Sequence, residues 1–183
     1  MFTVSHSPIG ICEVPDISLL PSSEKRRKFR SAKYSYSFIE EIAKIDIGGK
    51  TVKNTSRSGG TDNKNTDDLF GEFEKGIRYD QLPPIVVKIA DTYYLIDGFT
   101  RIRALKRRGQ VSWAFDVYEM NDGYTLEDLR DEIGLGANDH AKCKSATKDD
   151  FKTRASAWVA RQDRVVSKEE VKTWINSISH TFT

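Results

Sequence analysis

The fold of this chain is decided by the stretch from Pro84 to Gly109, PIVVKIADTYYLIDGFTRIRALKRRG. Two of its runs, Ile85–Ile89 and Tyr93–Ile96, are rich in β-branched and aromatic residues and are three residues apart, which predicts a β-hairpin. Apolar residues then recur at helical spacing over Phe99–Arg108, and Gly109 is a typical residue at the end of a helix. The stretch therefore predicts a strand, a turn, a second strand, a tight turn and a helix.

The beginning of this predicted helix has the features of an anion site. Gly98 precedes the first turn, whose unpaired backbone N–H groups carry the positive end of the helix dipole. Thr100 and Arg101 add a hydroxyl and a guanidinium, and the charge of Arg101 opposes the dipole, which favours an anionic partner. The alternative for Arg101 is a structural ion pair. The predicted phosphate-binding residues are Gly98, Phe99, Thr100 and Arg101.

Length and composition predict one soluble domain with an appendage. The chain has 183 residues, of which 38% are hydrophobic and 31% charged, so it can bury a core and is neither fibrous nor disordered throughout. The formal net charge is only +2, and the basic residues matter where they cluster. The two cysteines, Cys12 and Cys143, are not at the spacing of metal or redox motifs. No segment has the pattern of a leader or a membrane span, which predicts a cytoplasmic protein without a membrane partner.

The residues before Pro84 predict three further elements and an insertion. Ile11–Leu20 is apolar and partly alternating, which predicts a first strand. Ser37–Ile45 carries apolar residues at helical spacing with a capping-box pattern, which predicts a helix. Residues 50–68 have almost no large apolar side chains, which predicts a mobile insertion. A short helix over Leu69–Lys75 follows it.

The chain after the central helix predicts one more strand and then a helical tail. The strand is Trp113–Tyr118, and the helices are Leu126–Ile133, Asp149–Arg161 and one that Ser167 caps. The last two helices are arranged like a helix-turn-helix, but acidic residues in the first turn of the second helix would repel DNA phosphates. We therefore predict an ordinary helical hairpin that packs on the core.

The order of these motifs from Val14 to Glu119 resembles the ParB/sulfiredoxin superfamily. The matching pieces are Leu20-Pro21 at the end of the first predicted strand, the strand that begins at Pro84, and the Asp-Gly-x-x-Arg helix start. The resemblance covers somewhat more than half of the chain. It implies an α+β fold with a small mixed sheet, helices and a bound nucleotide.

Single residues discriminate among the different activities of this superfamily. Sulfiredoxins have a reactive cysteine directly after the motif glycine, where this chain has Phe99, so the resemblance does not extend to that activity. CTP-dependent partition proteins have a glutamate and two arginines after the glycine, and of these three this chain keeps Arg101 alone. The segment Asp97–Arg101 is more similar to kinase-like and phage-type relatives.

A second segment, Leu20-Pro21-Ser22-Ser23-Glu24, also resembles that branch. In free serine kinases the glutamate of the corresponding segment lies near the transferred phosphoryl group. The resemblance implies that Glu24 is a catalytic base, that Asp97 holds a magnesium ion and that Arg101 stabilises the transferred group. The alternatives are a solvated carboxylate for Glu24 and a helix cap for Asp97. The implied cofactors are ATP, or another nucleoside triphosphate or diphosphate, and Mg²⁺.

A basic run follows Glu24 directly. A polyanion bound to this run would lie beside the predicted reaction centre, which indicates DNA as a partner. The alternatives are the phosphate tail of a nucleotide and a solvated run of surface charges. Phe29 within the run is either a base-stacking residue or a core anchor. The predicted nucleic-acid-binding residues are Lys25, Arg26, Arg27, Lys28, Arg30 and Arg103.

Two functional hypotheses follow. The first is a nucleotide-dependent phosphoryl-transfer enzyme of the kinase or nuclease type that acts on DNA or on a hydroxylated nucleic-acid component. The second is a non-catalytic or CTPase-type DNA-binding module that uses bound nucleotide as a switch. In both, a ParB/sulfiredoxin-like domain spans residues 1–120 with the mobile insertion at 50–68, and a helical subdomain spans residues 121–183.

Overall fold

The computed structural model describes residues 12–47, 63–135 and 146–179. In chain order the elements are β1 (Ala32–Glu41), β2 (Ile45–Asp46), α1 (Asn63–Glu74), β3 (Ile85–Ile89), β4 (Thr92–Asp97), α2 (Phe99–Arg107), β5 (Ser112–Met120), α3 (Leu126–Leu135), α4 (Lys148–Ala160) and α5 (Lys168–Ser179). Short 3₁₀ turns span Ile17–Leu19, Ser23–Lys25 and Ile42–Lys44. The protein therefore has the α+β fold that the sequence predicts.

The five strands form one mixed sheet in the order β1-β5-β3-β4-β2. β1 is antiparallel to β5, β5 is parallel to β3, β3 is antiparallel to β4, and β4 is parallel to β2. The predicted hairpin is the β3–β4 pair. Its register places Ile85 opposite Asp97 of β4 and, on the other side, opposite Asp116 of β5. The first residue of β3 thus lies between two acidic residues of neighbouring strands.

Alternate residues of the central strands face opposite sides of the sheet and build two hydrophobic cores. On one side Val86 packs in a cluster with Ile102 and Leu105 of α2. On the other side Val87 packs in a cluster with Leu129 of α3. Because helices cover both faces, the central strands have continuous apolar runs rather than alternating ones.

The predicted helix over Ser37–Ile45 is wrong. These residues first continue β1 in its antiparallel pairing with β5 and then form a 3₁₀ turn. The preceding sequence alternates Tyr34-Ser35-Tyr36-Ser37-Phe38, which is the period of a strand. A bulge between Tyr34 and Tyr36 shifts the register of this pairing. Phe38 packs against the hydrophobic cluster that contains Ile102 and Leu105 of α2. Pairing with β5 therefore outweighs the helical spacing of the isoleucines.

Two other predictions need correction. In the described part of the predicted strand Ile11–Leu20 there is a 3₁₀ turn instead, and Asp16 caps it by accepting the Ser18 N–H at 2.9 Å. The predicted insertion lies outside the described residues as far as residue 62, whereas residues 63–68 form the first half of α1. Near its end α1 packs Phe73 edge-on against Trp113, a tertiary contact of the kind that stabilises helices in proteins.

The C-terminal helices pack on one another and, through α3, on the sheet. Trp158 of α4 and Trp174 of α5 are stacked, with ring centroids 5.0 Å apart. The buried Asp131 of α3 forms ion pairs with Arg161 at 2.6 Å and with Arg154 at 3.3 Å. These contacts fit the predicted helical hairpin, and the domain boundary near residue 120 stays a prediction. Within the described ranges, no helix is both long enough and apolar enough to span a membrane.

Candidate functional site

The turn before α2 requires glycine for two reasons. Gly98 has a φ of +94°, which L side chains rarely adopt. A Cβ at this position would lie 2.7 Å from the Cβ of Pro84, at the entrance to β3. The close approach of Gly98 to Pro84 therefore fixes the beginning of α2 against the beginning of β3.

Asp97 lies directly before this turn, and its two carboxylate oxygens have different partners. Its Oδ1 accepts the backbone N–H of Gly98 at 2.9 Å. Its Oδ2 forms an ion pair with Nη1 of Arg27 at 2.7 Å. Both side chains are partly exposed, at 35% for Asp97 and 15% for Arg27. The structure thus brings Arg27 to the beginning of α2, although the residue is 70 positions away in the sequence.

The predicted phosphate-binding side chains have different environments. Arg101 donates from Nη1 to the carbonyl oxygen of Leu82 and lines a neighbouring cleft. Phe99 packs its side chain against the hydrophobic cluster that contains Val86, Ile102 and Leu105. Thr100 is half-buried in the first turn. Arg27 therefore pairs with the carboxylate directly before Gly98, whereas Arg101 donates to the backbone of Leu82.

The basic run after Glu24 is divided between the interior and the surface. Arg26 is buried and forms an ion pair from Nε to Oδ2 of Asp116 at 2.8 Å, with both side chains no more than 3% exposed. Its prediction as a nucleic-acid-binding residue is therefore wrong, because its charge is already neutralised inside the protein. Phe29 is also buried, packing 5.3 Å from the ring of Tyr118 as a core anchor rather than a stacking platform.

The remaining members of the predicted nucleic-acid surface stay accessible. Lys25, Lys28 and Arg30 are exposed on one segment, and Arg30 also donates to the carbonyl oxygen of Ser177 at 3.4 Å. Arg103 is half-buried on α2. Their role in binding DNA stays a prediction.

Glu24 lies in the 3₁₀ turn Ser23–Lys25 and is exposed. It is three residues before Arg27, on the segment that reaches the beginning of α2. Its carboxylate is therefore accessible from outside the protein. Its catalytic role stays a prediction.

Burial raises the pKa of Asp116, the partner of Arg26. Three groups act in the opposite direction: the hydroxyl of Ser37, which donates to Oδ1 at 2.5 Å, and the positive charges of Arg26 and Arg101. Ser37 also lies 3.0 Å from the hydroxyl of Tyr34. Asp116 is therefore the centre of a buried polar network directly beneath the basic run.

A cleft of about 320 Å³ adjoins α2 at Arg101. It is lined by the segment around Cys12, by α1, by the loop from Gly76 to Pro83, and by Arg101, Arg108 and Trp113. The cleft contains both cationic and acidic side chains, such as Arg78 and Glu72. Sequence reasoning missed it, because its walls come from separate parts of the chain and no local pattern marks them.

Comparison with solved structures identifies the architecture. Two structures of a pNOB8-like ParB N-domain match with TM-scores of 0.51 and 0.53, at 12% and 15% identity, over 84% and 82% of this chain. This chain has a ParB-like fold. It spans only 60% and 63% of those two ParB-like chains. A third match, at a TM-score of 0.42, 16% identity, 80% coverage of this chain and 73% of the other, is a C-terminally truncated ParB from Caulobacter crescentus complexed with CTP-gamma-S.

Comparisons of the sequence with protein families and with curated proteins found no match. The structural likeness confirms the fold that the sequence resemblance implies.

The beginning of α2 fits magnesium poorly in this conformation. In the described ranges, no group of three or more His, Cys, Asp or Glu side chains is placed to hold a metal ion. Asp97 already has Arg27 on one oxygen and the Gly98 N–H on the other. Mg²⁺ prefers a nearly ideal octahedron of oxygen ligands, so Asp97 would have to release Arg27 to take part. Asp97 as a magnesium ligand stays a prediction.

Proposed function

We propose that this ParB-like domain is a nucleotide-binding module whose phosphate site is the beginning of α2. The observation that carries the proposal is the position of the Arg27 guanidinium beside the Gly98 turn, where the helix dipole also favours negative charge. Backbone N–H groups, the Thr100 hydroxyl and a guanidinium together form a donor set suited to a phosphate. The bound phosphate competes with Asp97 for Arg27.

The base and ribose of the nucleotide fit the adjoining cleft. Arg101 belongs to the first turn of α2 and also lines the cleft, so the two sites are contiguous at this residue. A volume of about 320 Å³ is within the usual range of small-molecule sites. The lining offers the aromatic rings of Phe73, Tyr79 and Trp113 for a base and the guanidinium groups of Arg78, Arg101 and Arg108 for polar contacts, beside the carboxylates of Glu13, Glu72 and Glu74.

The test is a calorimetric titration of the protein with ATP and with CTP, with and without Mg²⁺. We expect Arg27→Met to lower the affinity about tenfold or more, since a charge-assisted hydrogen bond contributes roughly 1.5–3 kcal/mol. The matched control is Arg164→Met, which also removes an arginine from an ion pair, the pair with Glu170 at 2.6 Å. The proposal is wrong if neither nucleotide binds, or if both variants weaken binding equally.

Asp97→Asn distinguishes the roles predicted for that carboxylate. Removing its negative charge frees Arg27 and reduces the repulsion of phosphate, so we expect nucleotide to bind several-fold more tightly without Mg²⁺. A magnesium ligand at Asp97 predicts the opposite result, a loss of the Mg²⁺-dependent part of the affinity. The measurement is the dissociation constant at matched ionic strength, with and without the ion.

The second candidate is a phosphoryl-transfer enzyme of the kinase or nuclease type. Its supporting observation is the accessible carboxylate of Glu24, three residues before Arg27. Incubation with labelled ATP or CTP, Mg²⁺, and either DNA or hydroxylated acceptors tests for phosphate transfer, hydrolysis or strand cleavage. Glu24→Gln should abolish turnover and retain nucleotide binding. Nucleotide binding without turnover on any acceptor would support the binding module instead.

A further inference from the structure

The segment from Pro21 to Ser31 carries Arg27 to the phosphate site, although it contains only one short 3₁₀ turn. A segment without strand or helix partners needs other contacts to hold a side chain in one place. Here those contacts are buried and polar. They involve the Arg26 side chain, the backbone of Arg27 itself, and the backbone of Arg30 and Ser31.

The contacts before Arg27 belong to Arg26. Its Nε pairs with Asp116 at 2.8 Å, and its Nη1 donates to the carbonyl oxygen of Pro21 at 2.7 Å. Its Nη2 lies 3.3 Å from the hydroxyl of Ser37, and its guanidinium lies 5.1 Å from the centre of the Tyr34 ring. The planar guanidinium therefore connects β1, β5 and the beginning of the segment at once. A lysine ammonium has no such fork.

The other contacts hold the backbone of Arg27 and of two residues that follow it. The buried hydroxyl of Tyr118 donates to the carbonyl oxygen of Arg27 at 2.7 Å. The carboxylate of Glu132, on α3, accepts the backbone N–H groups of Arg30 at 2.8 Å and Ser31 at 2.9 Å. Both ends of the segment are thus held by the sheet or by a helix that packs on it.

We infer that Arg26 and Asp116 are positioning residues for the phosphate site, which hold the backbone so that the guanidinium of Arg27 lies beside Gly98. The inference rests on the proposed function, because it assigns a purpose to a buried pair that does not itself reach the ligand. Without the pair the segment loses its attachment to β5, and the flexible Arg27 side chain samples positions away from Asp97. Nucleotide affinity then falls although the guanidinium is still present.

The test is a double-mutant cycle between Asp116→Asn and Arg27→Met. The probe is whichever of ATP and CTP binds the wild type more tightly. If Asp116 acts through Arg27, Asp116→Asn weakens binding about fivefold in the wild type and less than about twofold in the Arg27→Met protein. Equal effects in both backgrounds, or no effect in the wild type, would overturn the inference.

Two further variants separate positioning from loss of stability. Arg26→Lys keeps the positive charge opposite Asp116 but loses the fork, so we expect a folded protein with the same non-additive loss of affinity. Asp131→Asn is the matched control, because it also removes the charge of a buried aspartate paired with arginines, on the α3 side of the fold. It should lower the melting temperature and leave the affinity unchanged. A loss of affinity in Asp131→Asn as large as that in Asp116→Asn would show that the effect is only instability.

A measurement without ligand keeps the inference separate from the proposed function. The guanidinium resonance of Arg27 in the free protein, assigned by its loss in Arg27→Lys, reports the ion pair with Asp97. It should shift to the position of exposed arginines in Asp116→Asn and Arg26→Lys. If neither nucleotide binds the wild type, the proposed function fails and this resonance alone decides the positioning role. An unchanged resonance overturns it.

Discussion

Gly98 combines a conformational requirement with a steric one, and the two can be separated by substitution. Its positive φ disfavours any side chain, and Pro84 leaves no space for one. Gly123, with a φ of +81°, shares the first requirement but has no atom within 4 Å of a would-be Cβ. The stability lost on substitution at Gly98, minus that lost at Gly123, therefore measures how strongly the close approach of Pro84 excludes a side chain.

We expect Gly123→Ala to lower the free energy of unfolding by about 1 kcal/mol and Gly98→Ala by about 3 kcal/mol. The strain of positive φ acts in both variants, and the clash with Pro84 acts only in the second. Urea denaturation at constant pH measures both values. Equal losses would mean that Pro84 moves aside without cost.

Asp116 gives a pH dependence of known sign. Burial raises its pKa above the ordinary value of 3.8, so the folded protein holds the proton more tightly than the unfolded chain does. Its contribution to stability is therefore complete below pH 3.8 and is lost as the pH rises through its pKa in the folded state. Carbon-13 titration of the side-chain carboxyl should show a midpoint above 3.8. A midpoint at or below that value would mean that the Arg26 charge outweighs burial.

At the scale of elements, a local sequence pattern predicts a helix or strand correctly when the tertiary contacts of that segment favour the same structure. The hairpin, α2 and its terminal glycine were predicted correctly, because turn chemistry and periodicity are set within a few residues. The predicted helix over Ser37–Ile45 failed, because pairing with β5, some 70 residues later in the chain, outweighs the helical spacing of its isoleucines. The residues of a segment do not by themselves indicate whether a distant strand will pair with it.

The first turn of α5 is stabilised by Glu170, whose pKa is lowered to about 2. The main cause is the bond from Arg164 at 2.6 Å, followed by the backbone N–H of Ser167 at 2.8 Å. Because the pKa is lowered, this stabilisation is present above pH 4.5 and is lost as the pH falls through about 2. We expect the first turn of α5 to fray over that range in the wild type.

Glu170→Gln should weaken the same turn at neutral pH and remove its acid transition. Backbone chemical shifts of α5 between pH 2 and 5 measure the effect. Glu169→Gln, in the same turn and exposed, is the matched control and should leave the acid transition in place. A transition that persists in Glu170→Gln would contradict the assignment.

At the scale of the whole molecule, the distribution of charge decides where a polyanion can bind. Arg26 is buried against Asp116 and Arg27 is paired with Asp97, which leaves Lys25, Lys28 and Arg30 exposed on the surface. The predicted DNA surface is therefore narrower than the basic run itself. It is continuous in sequence with Arg27 of the proposed nucleotide site.

We expect replacement of Lys25, Lys28 and Arg30 by glutamine to weaken DNA binding at low salt. The slope of log affinity against log salt should decrease by about 2 to 3, because each phosphate contact contributes roughly 0.9. Replacing Lys168 and Lys172 of α5 by glutamine is the matched control and tests the helix-turn-helix alternative. A loss confined to the α5 variant would move the DNA surface to the C-terminal helices.

The sequence by itself determined the hairpin, the glycine turn and the helix that follows, because each depends on contacts among neighbouring residues. It also indicated the ParB-like fold through the order of these motifs. Only the tertiary structure decided which side chains meet at the turn. Arg27 reaches Asp97, Arg101 turns to Leu82 and Arg26 is buried against Asp116, and these pairs join residues between 19 and 90 positions apart. Strand order and packing bring such residues together, and no local pattern encodes the result.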